Sequence, residues 1–244
     1  QVRRQPDDAA VVLETKELVA GKAKSVNLLL QTGEIVGLAA LEGQGQQDLF
    51  RALGGVIRHS AGQILVEGKP VSFTSPRQAL AAGRGIAFVP EERKSEGIFP
   101  QLSAASNIAL AKLEKAARSG LVLSALEEQA ATDAARKVSL SERYMSFAVG
   151  SLSGGNQQKV LLARALMTGS KTLVLFDPAR GVDVGTKQAI YAMMRDFVAT
   201  GGAILFYSSE LSELVNLSSR CLVMFSHLQY RNIQSSRCST IRCR

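Results

Sequence analysis

The chain has 244 residues, 46% of them hydrophobic and 20% charged, enough for one large domain or two small ones with a buried core, which excludes global disorder. Its mean hydropathy is +0.08, and its longest apolar runs, such as LVLF at 173–176 and GGAILFY at 201–207, fall far short of the roughly 20 residues of a membrane-crossing helix. The net charge of +8 admits a nucleic-acid partner, but residues 221–244 hold Arg231, Arg237, Arg242 and Arg244 and no acid, so half of the excess lies in the last tenth of the chain.

The opening QVRRQPDDAA has no apolar run and no initiator Met, so residues 1–10 are read as a linker from a preceding segment of a longer protein. From Val11 to Gly37 two β-type runs flank a turn at Gln31-Thr32-Gly33-Glu34, predicting a hairpin that feeds a buried strand. After a short glycine loop, Leu49, Phe50, Leu53 and Val56 recur at helical spacing, and QILVEGKPVSF predicts a strand pair turning at Glu67-Gly68. GIAFVP at 85–90 is a strand ended by Pro90, followed by the charged loop EERKSEG. Ser106 to about Leu140 is rich in Ala, Leu, Lys and Glu and reads as helical. GSLSGGNQQKVLLARALM then predicts a helix whose N-terminus is the Ser-Gly-Gly turn. Strand TLVLF, a helix from about Thr186 to Ala199, strand AILFYSS, a short helix and strand CLVMF complete the pattern. Strands alternating with helices argue for an α/β fold with a mostly parallel sheet. The stretch from about 100 to 170, without strand patterns, reads as an inserted helical lobe. Cys221, Cys238 and Cys243 form an odd, clustered set, not a disulfide framework, and imply a reducing compartment.

One string is specific. LSGGNQQKV, from Leu152 to Val160, resembles the signature motif of ATP-binding cassette (ABC) ATPases in the form typical of simple-sugar importers for ribose, galactose or xylose. A hydroxyl and two glycines opening a helix present Ser153 Oγ and bare backbone N–H groups at the positive helix end, a ready anion site. The resemblance covers about residues 11–225 and implies an ABC-type P-loop NTPase cassette with a RecA-like core, an antiparallel β subdomain and an inserted helical lobe. In that family the signature, here Leu152, Ser153, Gly154, Gly155 and Asn156, caps the γ-phosphate held by the opposite cassette.

The family's other motifs are altered at their matching positions. The Walker A loop GxxGxGK[ST] corresponds to residues 40–47. Gly43 and Gly45 can still form a phosphate-sized nest, but Gln46 replaces the lysine and Gln47 the Mg²⁺-binding hydroxyl, with Gln44 between the glycines and Glu42 adding repulsion. Each loss removes a charge-assisted or metal contact worth roughly 1.5–3 kcal/mol. The loop is a degenerate P-loop. The Walker B strand admits two registers. Read locally, LVLF precedes a metal-orienting Asp177. Counted from both neighbouring motifs, Phe176 stands at the Mg²⁺-associated Asp and Asp177 at the catalytic Glu, and this second register is preferred. Asp is one methylene shorter than Glu, which puts a water that Glu would polarise out of easy reach. Arg180-Gly181-Val182-Asp183 resembles the D-loop, with Asp183 reaching across a cassette pair. The switch histidine falls at Ser209 and the Q-loop glutamine at Glu91. No aromatic occupies the adenine-stacking region around Leu18 to Lys22.

The losses fall on features that serve the chain's own nucleotide, whereas LSGGN and Asp183, which serve a partner, are intact. This matches the second, C-terminal cassette of tandem sugar-importer ATPases. The resemblance thus implies ATP as ligand, Mg²⁺ held through the partner cassette rather than by residues of this chain, and partners comprising another cassette, membrane permease subunits docking near 91–97 and the helical lobe, and, indirectly, a periplasmic sugar-binding protein. The implied location is peripheral, on the cytoplasmic face of the membrane. Two rival expectations remain. A nucleic-acid binder finds no supporting aromatic pattern, zinc spacing or basic amphipathic helix. A non-functional truncated cassette is suggested by residues 226–244, a Ser/Arg/Cys-rich stretch without periodicity, read as an unstructured tail from a frameshifted 3′ end.

Overall fold

The computed structural model describes residues 9–83, 85–112, 125–225 and 231–234. The chain divides into two compact units, Gln1–Phe88 with Lys171–Asp177 and Met194–Arg244, and Val89–Ser170 with Pro178–Met193.

The first unit contains two sheets. In the four-stranded sheet, order β2-β1-β4-β5, strands β1 (Val11–Ala20), β2 (Ala23–Gln31), β4 (Ala61–Val66) and β5 (Lys69–Val71) are all antiparallel. Alternation along β2 buries Val26, Leu28 and Leu30 and leaves the intervening residues outward, the period-2 signature of a half-covered sheet. The second sheet, order β10-β9-β3-β8-β7-β6, comprises β3 (Ile35–Ala40), β6 (Ile86–Val89), β7 (Thr172–Phe176), β8 (Ala203–Tyr207), β9 (Arg220–Met224) and β10 (Arg231–Gln234). Its central pairs β3–β8, β3–β9 and β7–β8 are parallel. β7 and β8 are buried at every position, as continuous apolar runs require when both faces are covered. The α/β class with separate antiparallel and parallel sheets is as expected.

The turn at 31–34 differs from expectation. The hairpin is formed by β1 and β2, whereas Thr32-Gly33-Glu34 carries the chain from β2 into β3 of the other sheet. The reason lies in the patterns: β2 alternates, while β3 is apolar on both faces. Glu34 anchors this crossing. Buried to 2% exposure, it accepts from Arg220 Nε at 3.0 Å and Nη2 at 2.9 Å, and from the Gln31 N–H at 2.6 Å. A short helix unanticipated from the sequence, α2 (Pro76–Ala81), begins with Pro at its first position. Within the stretch expected as an unstructured tail, Arg231–Gln234 pairs antiparallel with β9, whose outer edge offers backbone groups that a following segment can satisfy. Residues 226–230 and 235–244 lie outside the described residues, as do residues 1–8 of the expected linker.

The second unit is helical: α3 (Ala104–Ala109), α4 (Ala125–Lys137), α5 (Gly154–Met167) and the first part of α6 (Val184–Ala199). α3 and α4 pack on α5 and on each other. A fully buried amide holds the entry to α3: Asn107 accepts from the Phe99 N–H at 2.9 Å and donates to the Phe99, Leu102 and Ser103 carbonyls. The charged segment expected as a loop at 91–97 contains instead a π-helical turn, Arg93–Gly97. The expected helix after Ser106 is present as α3 and α4; residues 113–124 lie outside the described residues.

Candidate functional site

In the first unit the glycine loop joins β3 to α1 (Gln46–Leu53). Gly43 and Gly45 adopt left-handed φ of 81° and 92°, open to glycine at little cost. Gly45 has a second reason to be glycine: a Cβ there would lie 2.3 Å from Ala23 N and 2.5 Å from Lys22 C, the backbone of the β1–β2 turn. That turn is itself tied to α1, since the Lys22 N–H donates to Asp48 Oδ2 at 2.7 Å. The loop thus retains a helix N-terminus of eight residues, a geometry suited to anions. Its side chains are less suited. Gln46 is buried, and its Oε1, like that of Gln44, has no hydrogen-bond partner among the described residues; Gln47 is exposed.

Phe176 ends β7 with its ring in the core, 5.3 Å from that of Phe50 and 4.6 Å from that of Tyr207. Asp177 follows immediately. Its N–H donates to the Tyr207 carbonyl at 2.9 Å, its φ is 47°, and its Oδ2 accepts from Ser209 Oγ at 2.8 Å. The structure therefore brings together the two residues placed by the sequence at the glutamate and histidine positions. Burial pushes the Asp177 carboxyl above the ordinary carboxylate range, the Ser209 hydrogen bond opposes this, and the nearby Glu213 and Glu210 charges add to it. Glu213, which sequence reasoning missed, is buried and accepts from Ser208 Oγ at 2.7 Å. Mg²⁺ does not fit these residues. Phe176 offers no oxygen and its ring is buried in the core, and among the described residues no group of three His, Cys, Asp or Glu could hold a metal ion.

In the second unit, Ser153 caps α5, its Oγ accepting from the Asn156 N–H at 3.4 Å. Leu152 is buried, and its carbonyl accepts from Gln157 Nε2 at 3.0 Å, which fixes the approach to the helix. Asp183 caps α6: Oδ1 accepts from the Thr186 N–H at 2.9 Å and Oδ2 from Thr186 Oγ1 at 2.8 Å. These two bonds, the backbone one foremost, hold its carboxyl below the usual range. The signature head and Asp183 are adjacent, since a Cβ on Gly155 would lie 2.6 Å from Thr186 Oγ1 and 3.1 Å from Asp183 Oδ2. Glu91 is engaged by Arg180 in an ion pair. Glu91, Glu92, Arg93, Lys94, Arg180 and Gly181 line a cavity of about 310 Å³. Arg93 and Thr186 were not singled out from the sequence. Asp183 and Thr186 at D-x-x-T spacing are a readable capping signal, whereas nothing in the local pattern marks Arg93.

A family model described as "ABC transporter" matches residues 23–180. Among curated proteins, the chain is similar to ribose import ATP-binding protein RbsA 1 of Mesorhizobium japonicum, 38% identical over 232 residues covering 95% of this chain and 45% of that one. It is also similar to RbsA 2 of Escherichia coli O157:H7, 43% identical over 204 residues covering 84% and 40%. The chain thus spans less than half the length of these relatives. Among solved structures, a nucleotide-free ATP-binding cassette from an ABC transporter superposes with a TM-score of 0.82 at 18% identity, covering 95% of each chain. A dimeric cassette in a post-hydrolysis state with ADP and Pi gives 0.78 at 19% identity, covering 91% and 98%. No helix among the described residues is long and apolar enough to cross a membrane.

Proposed function

The chain belongs to the ABC transporter family and has the fold of an ABC ATPase cassette, and from that premise we propose that it is the second, degenerate cassette of a ribose-type sugar importer, one that completes a partner's ATP site rather than operating its own. Its neighbours in the assembly would be another cassette in head-to-tail contact, permease subunits that hold it at the cytoplasmic face of the membrane, and, through them, a periplasmic sugar-binding protein. ATP is the ligand, with Mg²⁺ held by the partner cassette.

The observation that carries this reading is how the motif residues divide. Gln46, Gln47, Phe176, Asp177 and Ser209, which depart from the family pattern, all belong to the first unit, and Ser153, Gly154, Gly155, Asn156 and Asp183, which keep it, all belong to the second. Glu91 is the one departure in the second unit. In chemical terms the second unit provides what a terminal phosphoryl group needs from outside its own cassette. Ser153 Oγ and the N–H groups of Gly154 and Gly155 at the head of α5 stabilise spreading negative charge, and Asp183, kept ionised by Thr186, orders the adjoining loop. At its described motif positions the first unit offers Gln46 in place of a cation and, at 177, a carboxylate that is short, buried and already bonded to Ser209.

Ser153→Arg in the full two-cassette protein tests this. A guanidinium projecting from the head of α5 would fill the partner's γ-phosphate space, so turnover coupled to transport is expected to vanish while nucleotide binding at the partner's Walker A loop survives. Unchanged turnover would refute the donation.

A further inference from the structure

Arg93 makes two contacts that no motif predicts. Its Nη1 donates to the Arg180 carbonyl at 3.3 Å. Its Nη2 lies 2.9 Å from where a Cβ on Gly154 would stand, so the guanidinium is seated against the first residue of α5. Its buried Nε has no hydrogen-bond partner among the described residues. The guanidinium is held by the π-helical turn Arg93–Gly97, a backbone form that tends to mark functional positions. Beside it, the Arg180 side chain pairs with Glu91, and the Arg180 carbonyl accepts from Arg93. The same Cβ position on Gly154 is 3.9 Å from the Gly181 carbonyl, and the next residue, Gly155, faces Thr186 and Asp183. Two consecutive glycines thus bed the head of α5 onto the segment from Arg180 to Thr186, and Arg93 bridges the outer end of that bed.

We infer that Arg93 is a positioning residue that locks the Arg180–Asp183 loop to the signature head, so that Ser153 and Asp183 are presented as one surface rather than as two independent loops. The functional half of this inference rests on the donation proposed above; the structural half does not. The guanidinium suits this place because Nη1 donates to the Arg180 carbonyl while the flat group lies against Gly154, an arrangement that a lysine ammonium on a flexible stem cannot reproduce. The glycines at 154 and 155 acquire a role within their own chain, that of admitting the guanidinium and the Thr186 hydroxyl.

Hydrogen exchange on the 244-residue chain alone decides the structural half. The Asn156 N–H reports the Ser153 cap and the Thr186 N–H reports the Asp183 cap. Arg93→Ala is expected to speed exchange at both amides by about tenfold, the loss of one charge-assisted contact, with the Ala203 amide in β8 unchanged. Arg93→Lys is expected to behave like Arg93→Ala, and added methylguanidinium to restore protection in Arg93→Ala. Gly154→Ala pushes on the same guanidinium from the opposite side and is expected to speed the same two amides, which keeps the test decisive if the Arg93 variants fold poorly. Response of only one cap, of neither, or full protection in Arg93→Lys overturns the inference. In the two-cassette protein, Arg93→Lys is expected to lower kcat for ATP about tenfold with KM unchanged, the signature of an interaction made in the transition state. If exchange responds as described but Ser153→Arg leaves turnover intact, the donation fails and the lock stands.

Discussion

Burial of the Asp177 carboxyl beside Glu213 and Glu210 raises its pKa above the ordinary 3.8 despite the bond from Ser209, and this makes a sign prediction about pH. A carboxyl whose folded pKa is raised binds its proton more tightly in the native state than in the unfolded chain, so stability falls as pH climbs from the ordinary value through the raised one, and the penalty is constant above it. Asp177→Asn removes the charge, keeps an acceptor for Ser209, and tolerates the left-handed φ as well as Asp does. The variant is expected to melt above the parent at pH 7 and level with it near pH 3, followed by circular dichroism. Equal melting at both values would mean that the carboxyl is not penalised by its site. For an enzyme base such a position would be costly and purposeful. Here the same residue is bonded to a serine rather than aimed at a water, and its neutralisation is expected to carry no catalytic loss.

At the scale of elements, the helical unit depends on one amide. Asn107 satisfies both the N–H and the carbonyl of Phe99, fixing the segment that precedes α3, and its full burial means that water cannot substitute. Asn107→Ala leaves the Phe99 N–H unpaired, whereas the Phe99 carbonyl keeps the Leu102 N–H at 3.1 Å; the variant is expected to reduce stability to urea by about 1–3 kcal/mol while leaving exchange protection in β3, β7 and β8 intact. Legibility also varies element by element. α5 could be located from Leu152–Asn156 because a capping serine and two glycines are local signals. β3, β7 and β8 could be located because their apolar runs are uninterrupted. The hairpin was misplaced by about ten residues because Gly33 is as good a turn signal as Gly21, and only the pairing partner distinguishes a hairpin turn from a crossing between sheets. α2 is short and weakly patterned. The Arg93 contact was illegible because its acceptor, the Arg180 carbonyl, lies nearly ninety positions away.

Across the whole molecule, the division of motif residues between two units gives the clearest functional expectation. The purified chain is expected to bind ATP weakly, with no gain on adding Mg²⁺, and to hydrolyse it at background rates. Isothermal titration with and without Mg²⁺, together with phosphate release, would check this; robust Mg²⁺-dependent turnover abolished by Asp177→Ala would sink the reading. The motif inventory could be read from the sequence because each motif is a short contiguous string. Its physical meaning lies in tertiary contacts. That Phe176 packs between Phe50 and Tyr207, and is thereby removed from solvent chemistry, follows from neighbours far away in the chain. That Asp177 and Ser209 meet follows from the pairing of β7 with β8.

The contact between the β1–β2 turn and the glycine loop carries a consequence for how this sequence can vary. Gly45 lies against the backbone of Lys22 and Ala23, a Cβ on Gly21 would fall 2.4 Å from Asp48 Oδ2, and Asp48 in turn receives the Lys22 N–H. The loop is cast against the hairpin tip as against a mould. Neither piece can drift alone: a side chain added at position 21 must be answered at position 48, and one added at 45 must be answered by the tip's own backbone, which has no side chain to yield. Two segments more than twenty residues apart are therefore inherited as one part. The loop can carry glutamines at 46 and 47 and still keep its shape, because that shape is held from outside by the hairpin.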